Sequence, residues 1–403
     1  MPSFILAYVN FRKGNYMDKL VKLSALAITG ALVLSGCAAN EEPVEEETTT
    51  DSSSSDSSDS SSDTTEDATP ALEGTLDGSG ASSMAAGQEA WVAGFQTANP
   101  GVTVNYNPTG SGTGRDQFEE GLTFFTGSDA YYKPEELETE HPNCEGATDA
   151  VFEFPIWISP IAVIFNLDGL ETLNMSPATI AKIFSGQITN WSDAEIQGSN
   201  PGVELPDLAI TYVHRSDESG TSENFTDWLA KAAPNAWVDT AGEPLGAIET
   251  WPADVSGEGA QGTSGVVAAV ESGNGTIGYA DASRAGSLGT VAVGVGNSFV
   301  PFSPEAAARI VDVSDLVEGR PATSLAYDLK RDTTESGVYP VVLVSYLQGC
   351  MDYKDDAKAE LVKAYASYML SAEGQQYASD SAGNAPISDE LRQQALAIIE
   401  QVQ

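Results

Sequence analysis

Three stretches of this chain repeat one design. Each ends a strand-like run, passes through Gly and small hydroxyl residues, and opens an amphipathic helix. They are Gly80-Ala81-Ser82-Ser83, Gly110-Ser111-Gly112 after VTVNYN, and Ser219-Gly220-Thr221 within RSDESGTSENF. Strands and helices in that alternation predict an α/β fold with a largely parallel sheet. In the first helix Trp91, Val92 and Phe95 share a face, and Asn99-Pro100-Gly101 stops it. In the third, Phe225, Trp228 and Leu229 share one. TFFTGSDA reads as a short strand ending at Asp129, and Ser176-Pro177 as a helix start. The run VFEFPIWISPIAVIFN, residues 151–166, is apolar, β-rich and interrupted by Pro155 and Pro160. It predicts a strand that leaves one domain and enters another.

Charge narrows what such a fold can bind. Against 18 Lys and Arg stand 59 Asp and Glu, a formal net charge of −41 over 403 residues. That field argues against nucleic acid and anionic membrane surfaces as partners. It also repels free anions, so an anion site here must work through short-range hydrogen bonds. A helix N-terminus supplies these: unpaired backbone N–H groups carrying about half a positive charge. Gly allows close approach, and Ser or Thr adds a hydroxyl donor. Ordinary helix caps and turns have the same residues. What sets the third stretch apart is Arg215, a full charge with a donor fork matched to an oxyanion. Asp217 nearby reads either as a surface ion pair or as the group that orients that fork. Asp129 reads either as a turn residue or as an acceptor for a ligand that carries a proton. HPO₄²⁻ carries one and sulfate does not, so an acceptor-only group there would select phosphate.

The N-terminal part has a different texture. Residues 1–37 read as a signal peptide: Lys19 and Lys22 precede the apolar run Leu23 to Leu34, which is too short to span a bilayer. Leu34-Ser35-Gly36-Cys37 resembles a lipobox, which makes Cys37 the expected lipidation site, and Met17 reads as an alternative start. Residues 38–70 are Ser, Thr, Asp and Glu with little to bury, and read as a disordered tether. Cys144 and Cys350 remain. In an oxidising compartment a disulfide is the first expectation, and two separate buried thiols are the alternative. No metal or cofactor is expected, since the chain has only two histidines.

Taken together, DGSGASSM, NYNPTGSGTG, TGSDA, FEFPIWISPIAVIFN, ITNWSD and HRSDESGTSENF resemble the phosphate-binding proteins of high-affinity phosphate ABC importers, the PstS family. The resemblance runs from about residue 72 to 400. It implies a two-lobed type II periplasmic-binding-protein fold with the ligand between the lobes. It implies phosphate contacts from Ser82, Ser83, Ser111, Asp129, Arg215, Ser219, Gly220 and Thr221, with Asp217 supporting Arg215. Ser83 departs from the family, which often has an aromatic residue there. One lobe is expected to comprise 71–160 and 285–403 and the other 161–284, with hinge segments near 155–164 and 276–284. The implied role is capture of inorganic phosphate outside the bacterial cytoplasmic membrane, by a protein lipid-anchored to its outer face, and delivery to the importer's membrane subunits. The competing readings are a binding protein for sulfate, molybdate or a phosphonate, and a phosphate sensor or phosphatase on the same fold. Neither His141 nor His214 lies in a recognisable hydrolase motif, so the expectation is a protein without enzymatic activity.

Overall fold

A computed structural model describes residues 71–146, 150–252 and 256–403. The expected leader, Cys37 and the tether lie outside the described residues.

Strand β1 (Gly74–Gly80) passes through a short turn of helix at Ser82–Met84 into α1 (Ala85–Ala98). Strand β2 (Val102–Asn107), helix α2 (Ser111–Glu119) and strand β3 (Phe125–Ser128) follow. Next come β4 (Val151–Asn166), β5 (Thr172–Met175), α3 (Pro177–Phe184), β6 (Thr211–Arg215), α4 (Gly220–Ala232), β7 (Glu258–Ala260) and α5 (Gly262–Ser272). Strands β8 (Thr276–Asp281), β9 (Gly289–Val295) and β10 (Ser298–Val300) precede α6 (Pro304–Asp312). The chain ends with β11 (Val342–Cys350), α7 (Asp356–Leu370), α8 (Ala372–Ala382) and α9 (Asp389–Ile399).

Strand β4 joins two halves of one sheet. Its residues 151–160 pair antiparallel with β11, from Val151 opposite Cys350 to Pro160 opposite Val342. From Ile161 opposite Asp281 to Asn166 opposite Thr276 it pairs instead with β8. The two prolines suit this change of partner. Pro155 stands at a bulge, where the register shifts between Ser345 and Tyr346, and Pro160 is the last residue paired with β11. On one side β1 lies parallel to β2 and β3, and β11 runs antiparallel to β3. On the other β6 lies parallel to β7 and β8, while β9 pairs with β4, β5 and β10.

Each half has its own core. Trp91, Phe95, Phe118, Phe152, Phe154 and Trp157 are buried with α7 residues in the first. Past the crossing, alternate β4 residues face opposite ways, as a strand requires. Ile161, Val163 and Phe165 enter a core with Phe184, Phe225 and Trp228, while Ala162 and Ile164 meet Val213, Val266 and Val270 of the opposite face. Helices start where the sequence places them. The Ser176 hydroxyl accepts from the Thr179 N–H at 3.1 Å, with Pro177 first in α3.

The boundary expected at 284/285 falls too early. Strands β9 and β10 carry Val291, Val293, Val295 and Val300 into the second core, and β9 pairs with β5 from Thr290 to Val293. The chain packs with the first core again only at Ala307 and Ile310 of α6. The valine run VAVGV offers no local mark of which sheet half it joins. Cys144 and Cys350 form a disulfide with Cα atoms 5.3 Å apart, which decides between the two expectations for these residues.

Candidate anion-binding site

The ends of β1, β3 and β6 and the starts of α2, α4 and α5 meet where β4 crosses between the two halves. Three of these chain turns lack a side-chain cap. Gly110 precedes α2 at φ 112°, a left-handed value suited to glycine, Ala81 precedes the turn at Ser82, and Gln261 precedes α5. At the first two the backbone N–H groups are therefore not satisfied by capping side chains, while at α5 Asp217 and Ser82 accept from the Gly262 and Thr263 N–H groups. Helix α4 differs, because the Ser219 hydroxyl accepts from the Ser222 N–H at 3.1 Å and so serves as the helix cap.

Asp129 sits one residue past β3 and is 3% exposed. The Ser83 hydroxyl donates to its two carboxylate oxygens at 2.7 and 2.8 Å. The Thr221 hydroxyl, from the other half, donates to Oδ2 at 2.9 Å, and the Ser345 hydroxyl to Oδ1 at 2.6 Å. The Asp129 backbone N–H donates to Ser111 Oγ at 3.1 Å. Burial pushes the Asp129 carboxyl above the usual range, and the three hydroxyls and the charge of Arg215 pull against it. Gly220 closes on the same point: a Cβ there would come within 2.7 Å of both Asp129 Cβ and Ser111 Oγ.

Arg215 ends β6 and is 2% exposed. Its Nε donates to Asp217 Oδ1 at 2.7 Å and its Nη2 to Asp217 Oδ2, a bidentate pair. Burial alone would raise the Asp217 carboxyl, but the guanidinium and the Gly262 N–H, 3.0 Å from Oδ1, hold it below the usual range. Asp217 is thus the group that fixes the fork. Gly110 borders the pair, since a Cβ on it would lie 2.7 Å from Asp217 Oδ2 and 3.6 Å from Arg215 Nη2.

Ser82 takes a different place from its neighbour Ser83. Its hydroxyl lies 3.1 Å from Thr263 Oγ1 and accepts from the Thr263 N–H at 3.1 Å. That contact brings in a fourth Gly/hydroxyl helix start, Gly262-Thr263-Ser264 of α5, which shares the design of the other three and was legible on that ground. Four further residues had weaker signals. Ser345 is a single hydroxyl in the apolar run VVLVSYL. Asn224 donates to the Asp129 and Gly220 carbonyls at 2.6 and 2.8 Å. Buried Arg331 donates to Asn224 Oδ1 and to Asp227 Oδ2, the latter at 2.9 Å. Asp281, at the end of β8 and fully buried, has its carboxyl pushed up to about 6 by burial, against the hydrogen bonds from Ser283.

The two halves are also joined beside the site. Arg115 of α2 donates from Nη2 to both oxygens of Glu249 at 2.9 Å, and Lys133 reaches Glu249 at 3.2 Å. Buried charges need such full pairing, because an uncompensated one is costly. His214 is structural in its contacts. Its ring stacks on Trp251 with centroids 4.8 Å apart, and its Nδ1 lies 2.9 Å from the Arg215 carbonyl.

What the geometry offers a ligand is a buried junction of both halves, with one fixed guanidinium, several hydroxyls, uncapped N–H groups and a buried acceptor. Comparison with known proteins points the same way. The family described as the PBP superfamily domain matches residues 55–373. "Phosphate-binding protein PstS 3" of Mycobacterium leprae (strain TN) is 34% identical over 325 residues, covering 79% of this chain and 84% of that one. "Phosphate-binding protein PstS 2" of Mycobacterium tuberculosis (strain ATCC 25618 / H37Rv) is 33% identical over 300 residues, 72% of this chain and 77% of that one. Among solved structures, the phosphate-binding protein from Stenotrophomonas maltophilia superposes with a TM-score of 0.60 at 23% identity, covering 81% of this chain and 94% of that one. The phosphate-bound periplasmic protein PfluDING gives 0.62 at 20% identity, with 80% and 93% covered. At those identities the solved structures speak for the two-lobed fold.

Proposed function

The chain belongs to the PstS family of phosphate-binding proteins, and on that footing we propose that it captures inorganic phosphate between its lobes for an ABC importer. The observation that carries the assignment to this cleft is Asp129. A buried carboxylate beside Arg215 and four Gly/hydroxyl helix starts is out of place in a site for a fully deprotonated oxyanion. It suits a ligand that still carries a proton.

In this reading Arg215, oriented by Asp217, takes phosphate oxygens through its fork. The N–H groups and hydroxyls of Ser82, Ser83 and Ser111 bind from the first lobe, and Ser219, Gly220 and Thr221 bind from the second. Asp129 accepts the phosphate proton. The Ser83 and Thr221 hydroxyls, which meet on Asp129, are placed to turn onto the ligand. Contacts from both lobes favour the closed form, so binding and closure are one equilibrium. The lobes in this proposal are 71–160 with about 301–403, and 161 to about 300. The packing of β9 and β10 supports the second limit. The protein works outside the cytoplasmic membrane, held by lipid on Cys37 and lifted by the 38–70 tether. Its closed face docks on the importer's membrane subunits, and no bond in the ligand is broken.

Replacement of Asp129 by Asn tests the assignment. In equilibrium dialysis with labelled phosphate, sulfate competes poorly against the parent protein. The D129N variant binds phosphate more weakly and admits sulfate, narrowing the preference by roughly tenfold or more, the scale of one hydrogen bond to a charged group. An unchanged preference removes Asp129 from the account of selectivity.

A further inference from the structure

The selectivity proposed above depends on Asp129 remaining an acceptor, and the structure shows what could hold it in that state. Three hydroxyls donate to its carboxylate. Ser83 and Thr221 belong to the loops that take the ligand, so a bound oxyanion offers each of them another acceptor. Ser345 belongs to neither loop. It lies on β11, is completely buried, and donates to Oδ1 at 2.6 Å. Its position follows from register. Ser128 stands opposite Tyr346 in the β3–β11 pair, so the next residue, Asp129, falls opposite Ser345. On its other edge Ser345 pairs with Trp157, beside the bulge at Pro155. Bulges re-aim neighbouring side chains, and here one adjoins the hydroxyl that meets the carboxylate.

We propose that Ser345 is a positioning residue for oxyanion selectivity: its hydroxyl engages Oδ1 of Asp129 as a donor, favours the ionised carboxylate, and leaves Oδ2 to accept the proton of phosphate. This inference rests on the phosphate reading and deepens it. Burial pushes the Asp129 carboxyl up, and the hydroxyls of Ser345, Ser83 and Thr221 and the charge of Arg215 oppose that. Asp281 and the Tyr106 phenol also feel its charge. When Ser83 and Thr221 turn to the ligand, Ser345 and Arg215 are the opposing groups that remain. Without the Ser345 hydroxyl, protonated Asp129 becomes more favourable, and a protonated carboxyl is a donor. A donor at that point accepts sulfate as well as phosphate.

The sign follows directly. The folded-state pKa of Asp129 is already raised, and loss of a donor to its charged form raises it further. The pH below which the preference for phosphate over sulfate collapses therefore moves upward.

The test is a competition titration of phosphate against sulfate from about pH 5 to about pH 8, on the parent protein and on S345A, S345T and S345V. The ligands' own titration is common to all four proteins, so ratios between them isolate the residue. S345A and S345V lose roughly tenfold of the preference near pH 6, and their collapse shifts up by about one pH unit. S345T, which matches valine in shape but keeps a hydroxyl, retains the parent profile. If S345A fails to fold, the comparison of S345T with S345V still decides. Equal ratios and equal pH profiles across S345T, S345V and the parent overturn the inference, even where overall affinity falls. A parent protein with no preference for phosphate defeats instead the reading on which the inference stands.

Discussion

At the scale of single residues, the site is made by small groups packed closely around two buried charges. Gly220 shows how little room there is. It is the first residue of α4, and its missing side chain lets that helix start touch Asp129 and Ser111 of the opposite lobe. An alanine there would place a carbon 2.7 Å from Asp129 Cβ, well inside contact distance. With the proposed lobes the strain falls on the closed form, because the clashing atoms belong to different lobes. Gly220→Ala should therefore weaken phosphate binding ten- to a hundredfold, about 1–3 kcal/mol of overpacking, and leave the melting temperature of the ligand-free protein little changed. Equilibrium dialysis alongside thermal unfolding checks both halves of that statement. Loss of stability equal to the loss of affinity would show that Gly220 serves the fold rather than closure.

At the scale of elements, legibility depended on how local the cause is. The Gly/hydroxyl helix starts and the Ser176-Pro177 start are written in neighbouring residues, and the crossing strand 151–166 announced itself by its length and two prolines. The limit of the second lobe was not legible, because β9 and β10 look the same whichever sheet half they join. Ser345, Asn224 and Arg331 were hidden for a related reason. Each acts on Asp129 or its surroundings from more than 90 residues away in sequence, through a register or a buried hydrogen bond that composition does not encode. The disulfide ties two such distant elements. Cys350 ends β11 and Cys144 precedes β4, 206 positions apart in sequence. A link closing so long a loop restricts the unfolded chain strongly. Replacing both cysteines by serine should cost about 2–5 kcal/mol of unfolding free energy in denaturant titration, while phosphate selectivity persists because neither sulfur touches the site. An unchanged unfolding midpoint would contradict this.

At the scale of the whole molecule, a chain with a net charge of −41 binds an anion by keeping its few cations where they count. Arg215 is fixed by Asp217, and Arg115 and Lys133 meet Glu249 of the other half. The acidic surface gives solubility, and the buried fork, hydroxyls and helix starts give short-range attraction that this field does not cancel. In the proposed reading Asp129 then converts attraction for oxyanions in general into preference for a protonated one. The most direct test of that central claim is calorimetry on the purified protein, stripped of bound ligand and titrated with phosphate and then with sulfate. The account predicts saturable one-to-one binding of phosphate and no heat from sulfate at the same concentrations. No phosphate binding, or equal binding of both ions, would contradict it.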